Sequence, residues 1–205
     1  MNIQDFKIPI VLAIVGPSGC GKTTVAKWLN DNHYCNTIIS YTTRPIRDDE
    51  VNGVDHYFVT ENEMPKSDDM MAYTLFGGYH YWTTFNQLKN DTYNAYVIDE
   101  RGLIDLYKLD KAHKIRVIWC QMERPNNPTD SDRIKRDDIR KESQITLEEL
   151  GYKPDTILVN DGDLNKLYNQ IKLRVFNQFI LGDVKNAMDA LSHSMSSLMN
   201  VKNQE

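Results

Sequence analysis

Residues 16–24 read GPSGCGKTT and follow directly on the apolar run 9–15, PIVLAIV. Gly16, Gly21, Lys22 and Thr23 stand at the places that G-x-x-x-x-G-K-[ST] requires. Such a pattern belongs where a buried strand runs out into a tight turn and the turn opens a helix. Glycines permit the turn, so several backbone N–H groups point inward at one anion. The helix that begins near Lys22 adds its positive end. Lys22 is expected to reach the outer phosphates as a mobile point charge, and the Thr23 hydroxyl can ligate Mg²⁺. Ser18, Gly19 and Thr24 complete the expected cradle. Cys20, inside the loop, is expected to be filler and not a nucleophile.

Outward from the loop, strand-like and helix-like stretches alternate. Residues 36–40 (NTIIS), 94–98 (NAYVI), 114–120 (KIRVIWC) and 155–159 (DTILV) join 9–15 as buried strands. Their near-continuous hydrophobicity suits a parallel sheet covered on both faces. Helical patterns are expected over 22–32, 101–109, about 130–149 and 163–178. The alternation predicts an α/β layered fold with a parallel core. Residues 41–90 interrupt it. They are rich in Tyr, Asp, Gly and Thr, carry strand-like pieces (HYFV, YHYW), and are expected to form an inserted small subdomain with a short helix at 84–90. In the tail, Leu181, Val184, Ala187, Met188, Leu191, Met195, Leu198 and Met199 recur at helical spacing. That extension, 181–205, is expected to pack on the domain, to pair with another subunit, giving a homodimer, or to be a disordered end.

Composition narrows the partners. The 205 residues are 40% hydrophobic with a net charge of −5, which suits a globular domain and makes long nucleic acid a poor partner. Cys20, Cys35 and Cys120 lack metal-type spacing and suggest reduced thiols in a cytoplasmic protein. No stretch approaches the length of a membrane span, and the first residues lack the layout of a signal peptide. His33, His80, His113 and His193 have no constellation around them and are expected to be structural or exposed.

The stretch 40–58, SYTTRPIRDDEVNGVDHYF, carries Arg44 and Arg47 three apart across a proline. Two guanidinium groups held that close repel unless an anion sits between them, and a phosphate monoester matches both by bidentate hydrogen bonds. The competing reading pairs them with Asp48, Asp49 and Glu50. At Thr42, Thr43, Arg44, Arg47, Glu50, Gly53, Asp55 and Phe58 the stretch resembles the guanylate kinase family. The likeness continues at Gly78, Tyr81 and Thr83, at Ile98, Asp99 and Gly102, and at Ile157, Val159, Asn160 and Asp161. It spans roughly residues 9–178.

The resemblance implies a P-loop three-layer fold, with a core of 1–40 and 91–180, a monophosphate-binding insertion of 41–90 and a helical lid at about 121–150. It implies transfer of the ATP γ-phosphoryl to GMP or dGMP, with Mg²⁺ as cofactor and small-molecule nucleotides as partners. Arg44, Arg47 and Tyr81 would hold the acceptor phosphate; Ser40, Thr83 and Asp99 would face its base or phosphate. From the residues alone, Asp99 ends a hydrophobic strand and could serve Mg²⁺, base or both, or cap the helix that follows.

Several positions depart from the family. Ala72 stands where a guanine-reading glutamate is expected, with Asp68 and Asp69 as candidate substitutes. His56 replaces a tyrosine, with Tyr57 adjacent, and either ring could bond a phosphate. Trp82 replaces a glycine and could crowd or stack on a base. In the lid, Asn127 takes one arginine position and Arg124 fits another only with a shift. Arg136 is the favoured lid arginine, with Arg133 and Arg140 as alternates. Two other functions share these features: a kinase for another (deoxy)nucleoside monophosphate, motivated by Ala72, and a non-catalytic binding module of the same fold. Retention of Lys22 and Thr23 argues against the module.

Overall fold

The computed structural model describes residues 8–48, 50–125, 138 and 147–177. Most of the helix expected at 130–149, and the whole extension 181–205, lie outside them. The chain divides into two compact units, Met1–Asp161 and Gly162–Glu205. Among the described residues, nine strands in the first unit make two sheets.

The larger sheet holds β1 (Ile10–Val15), β2 (Cys35–Ile38), β7 (Tyr93–Val97), β8 (Arg116–Glu123) and β9 (Thr156–Val159), in the order β2-β7-β1-β8-β9. Every pairing in it is parallel. All six residues of β1 are buried, as its unbroken hydrophobicity requires of a central strand covered on both faces. The chain leaves β1 between neighbours that come from much later in the sequence. A crevice at the carboxyl ends follows from that order, and ligands of open α/β sheets bind in such crevices.

The smaller sheet holds β3 (Tyr41–Thr42), β4 (Tyr57–Phe58), β5 (Met70–Phe76) and β6 (Tyr79–Thr84), in the order β4-β3-β6-β5. It is mixed: β3 and β4 run parallel, while β6 is antiparallel to both neighbours. Gly77 and Gly78, both at positive φ, turn the β5–β6 hairpin tightly. Alternation along β6 separates two roles. Trp82 is 2% exposed and stacks on Tyr41, with ring centroids 5.6 Å apart, whereas Tyr81 projects to the opposite face. Trp82 therefore builds the core of the small sheet and is not available to a base.

Helix α1 (Lys22–Asp31) buries Val25, Ala26 and Leu29. Helix α2 (Glu100–Lys111) buries Leu103, Leu106 and Tyr107, and Tyr107 stacks on Tyr152 at 3.9 Å. One apolar cluster runs from Val11, Ala13 and Val15 of β1 through Leu103 and Leu106 to Met71 and Ala72 of β5. The Tyr73 amide also donates to Asp105 on α2 at 3.2 Å. Helix α2 thus fastens the small sheet to the large one. In the second unit, helix α3 (Leu164–Ile171) starts at Asp163, whose carboxylate accepts from the amides of Asn165 and Lys166.

Three expectations are corrected. The strand expected at 36–40 ends at Ile38, because the Gln87 side chain takes both the amide and the carbonyl of Ile39 at 2.9 Å. The same engagement replaces the helix expected at 84–90 by a single 3₁₀ turn, Phe85–Gln87. The strand expected at 114–120 runs instead from Arg116 to Glu123, so residues 121–123, expected in the lid, are strand.

His33 and His113 carry positive φ, 58° and 55°, just past the ends of α1 and α2. The amides of His33 and Tyr34 donate back to Asn30 and Leu29, and those of His113 and Lys114 to Asp110 and Leu109. These are Schellman closures, in which a glycine is ordinarily found. His33→Gly is expected to relieve part of the left-handed cost of about 1–2 kcal/mol, less the entropy a glycine adds to the unfolded chain. A urea midpoint no higher than that of the parent chain would contradict this.

Candidate active site

The loop after β1 is held from behind. A Cβ on Gly16 would lie 2.4 Å from the Met122 carbonyl oxygen, and one on Gly21 would lie 2.7 Å from Asn160 Nδ2. Both glycines also have positive φ, 150° and 98°. Asn160 Nδ2 donates to the Cys20 carbonyl at 2.9 Å and braces the loop from the end of β9. Arg124, one residue beyond β8, donates to the Gly19 carbonyl at 2.8 Å. Gly21 caps α1 without a side-chain cap hydrogen bond, and a glycine-led helix start of this kind suits an anion. Lys22 Nζ folds back on the loop and donates to the carbonyls of Gly16 and Pro17, both at 2.8 Å. Cys20 is fully buried, in keeping with a filler.

A cavity of about 330 Å³ opens beside this loop. Ser18, Gly19, Lys22 and Thr23 of the loop line it, and so do Arg44, Arg47, Glu50, His56 and Tyr81. The triphosphate cradle and the arginine pair therefore share one space. Gly16, Gly21 and Thr24 do not line it; the two glycines shape the loop.

Glu50 organises the arginine wall. Its carboxylate accepts from Arg44 Nη1 at 2.9 Å and Nη2 at 2.7 Å, and from the Arg47 amide at 3.0 Å. Arg47 Nη1 lies 3.6 Å away, and its side chain is 54% exposed. Arg44 Nε donates to the Tyr81 hydroxyl at 3.1 Å, and the guanidinium lies over the Phe58 ring. Burial alone would raise the Glu50 carboxyl, but the bonds from Arg44 and from the Arg47 amide hold it below its ordinary value. The anion expected between the two arginines is thus supplied by the chain itself. A dianionic phosphate at this wall meets guanidiniums already oriented.

His56 Nδ1 and the Ser40 hydroxyl are 2.8 Å apart. Burial, and next the Arg44 charge, lower the His56 pKa, so the ring is neutral at pH 7. It offers hydrogen bonding to a ligand and no charge. Tyr57, the alternative, stacks on Tyr41 at 4.8 Å and does not line the cavity.

Ala72, Tyr73 and Thr74 of β5 and Tyr96 through Asp99 also line the cavity. Asp99 caps α2: its Oδ1 accepts from the Gly102 amide at 2.7 Å and from Thr74 Oγ1 at 3.0 Å. The helix-cap reading therefore holds, and Asp99 lines the cavity as well. Thr83 does not: it is fully buried beside Ala72, and its hydroxyl accepts from Gln87 Nε2 at 3.3 Å. Asp68 and Asp69 sit in an exposed turn away from the cavity and cannot stand in for a carboxylate at position 72. Arg133, Arg136 and Arg140 lie outside the described residues. Sequence alone marks Glu50 only as a partner for the arginines and a point of resemblance, Asn160 only as a point of resemblance, and Thr74 not at all. A carboxylate three residues after Arg47, and an asparagine closing a buried strand, were the available signals.

A family model described as guanylate kinase matches residues 8–178. A guanylate kinase of Ehrlichia canis is 32% identical over 176 residues, covering 80% of this chain and 84% of its own length. One of Homo sapiens is 28% identical over 181 residues, covering 80% and 90%. The crystal structure of guanylate kinase from Anaplasma phagocytophilum aligns with a TM-score of 0.58 at 22% identity, over 82% of this chain and 85% of that one. At that identity the last likeness shows the fold alone.

The lowered pKa of His56 links protonation to stability. The unfolded chain takes up this proton first, so stability present above the ordinary value of 6.5 is lost as pH falls through the lower folded value. Between pH 7 and 5 the urea midpoint of the parent chain should fall further than that of His56→Gln. Equal falls would show that the ring carries no such linkage.

Proposed function

Because the chain belongs to the guanylate kinase family, we propose that it transfers the γ-phosphoryl group of ATP to GMP or dGMP, giving ADP and the diphosphate. The observation that supports this best is the single cavity lined both by Lys22 and Thr23 and by Arg44 and Arg47. A phosphoryl group held by the first pair reaches an acceptor held by the second without leaving that space.

In this reading the loop amides and Lys22 hold the donor phosphates. Arg44, Arg47 and Tyr81 hold the acceptor phosphate, with Glu50 keeping Arg44 in place, and Ser40 and His56 lie beside it. Phosphoryl transfer needs alignment and positive charge more than covalent help from the protein, so no general base is assigned. Among the described residues no three His, Cys, Asp or Glu side chains gather into a metal cage. A Mg²⁺ carried by phosphate oxygens, water and one hydroxyl needs none, and Thr23 fits that part. Bound there, the ion would neutralise charge on the moving group. Arg136 remains the proposed lid arginine. We place the reaction in the cytoplasm, in keeping with three buried cysteines that are not joined in disulfides. Among the described residues no helix is long and apolar enough to cross a membrane.

Lys22→Ala should lower kcat by about 10²–10³, the scale set by removing one donor from a developing charge. Arg44→Lys loses the two-pronged contact with Glu50, and should raise KM for GMP about tenfold with a smaller effect on ATP. Both are read from ADP release with GMP as acceptor. Full activity in Lys22→Ala would remove the phosphate loop from the reaction.

A further inference from the structure

We propose that this chain reads its acceptor base through a single carboxylate, Asp99, and so takes 6-oxopurine monophosphates as a class, with little discrimination between guanine and hypoxanthine. The inference rests on the kinase reading above and deepens it.

Two carboxylates line the cavity among the described residues, Glu50 and Asp99. Both oxygens of Glu50 are bonded to Arg44. Asp99 is fixed differently. Its Oδ1 accepts from the Gly102 amide and from Thr74 Oγ1, which pins the group and leaves Oδ2 for a ligand. Guanine presents two kinds of donor on one edge, the ring N1–H and the 2-amino group. Hypoxanthine keeps the N1–H and the 6-oxo group but has no 2-amino group. Adenine has a lone pair at N1.

One carboxylate oxygen rewards N1–H, which guanine and hypoxanthine share, and repels the adenine lone pair. Rewarding the 2-amino group takes a second acceptor of similar strength. The position two residues before Thr74 lies on the same face of β5, also lines the cavity and could carry one. That residue is Ala72, which lines the cavity with a methyl group and is 3% exposed. The Ser40 hydroxyl, elsewhere on the wall, is engaged with His56.

The test compares kcat/KM for GMP, IMP and AMP at saturating MgATP. IMP is expected within about tenfold of GMP, and AMP about a hundredfold or more below IMP, since a hydrogen bond to a charged group is worth roughly that range. A GMP preference above about tenfold over IMP would overturn the inference. Ala72→Glu should widen the GMP-to-IMP ratio about tenfold or more. Should that variant fail to fold, Asp99→Asn decides, because asparagine caps a helix as well as aspartate does. Its amide keeps the Oδ1 bonds and turns a donor to the base. It should lower GMP and IMP together and raise AMP relative to IMP. Equal losses on all three would overturn the proposal. Calorimetric binding of the three monophosphates without ATP separates the two readings: this ranking without turnover would sink the kinase and keep the base reading.

Discussion

The Met122 carbonyl lies where a side chain on Gly16 would have to go. That close approach of β8 to the end of β1 is the constraint on which the site depends. It fixes the direction in which the chain leaves the central strand. With Asn160 bracing the Cys20 carbonyl and Arg124 the Gly19 carbonyl, the loop is tied to the carboxyl ends of β8 and β9. Its amides are thereby set in advance of any ligand, and preorganised dipoles cost nothing to reorient when charge arrives.

The second requirement is electrostatic. Arg44 is largely buried and stands beside another guanidinium, an arrangement that repels itself in the absence of an anion. Glu50 resolves this within the chain, and its own lowered pKa is the other side of the same bargain. His56, neutral under the influence of burial and Arg44, keeps the wall from gaining further positive charge. The wall is thus stable when empty and still attractive to a phosphate, whose two charges exceed the one that Glu50 supplies.

Much of this was legible in the residues. The order of hydrophobic runs gave the parallel sheet because a strand buried on both faces has to be apolar throughout, and β1 is. The phosphate loop was legible because few backbones other than a glycine-rich turn suit its geometry. The small sheet was legible only as an interruption. Its strands are two to seven residues long, and Gln87 replaces regular pairing at Ile39 with a side chain, which no periodicity reveals. The destinations of Trp82 and Thr83 turned on which face of β6 is covered and by what. Trp82 packs into the core on Tyr41, and Thr83 is closed off by Gln87. Arg44 with Glu50 shows a further limit: the spacing announced an anion site, but only the folded chain shows that a native carboxylate already occupies part of it.

The posture of Lys22 has a thermodynamic corollary. Its ammonium already holds two carbonyl oxygens of its own loop. Meeting a nucleotide means giving those up, so the affinity it confers is a difference between two occupied states and not the full worth of a new contact. Such an exchange tempers tight retention of the spent nucleotide, because the departing ligand is replaced at once by the protein's own oxygens. Turnover in a site this rich in cations then need not wait on escape from an electrostatic trap.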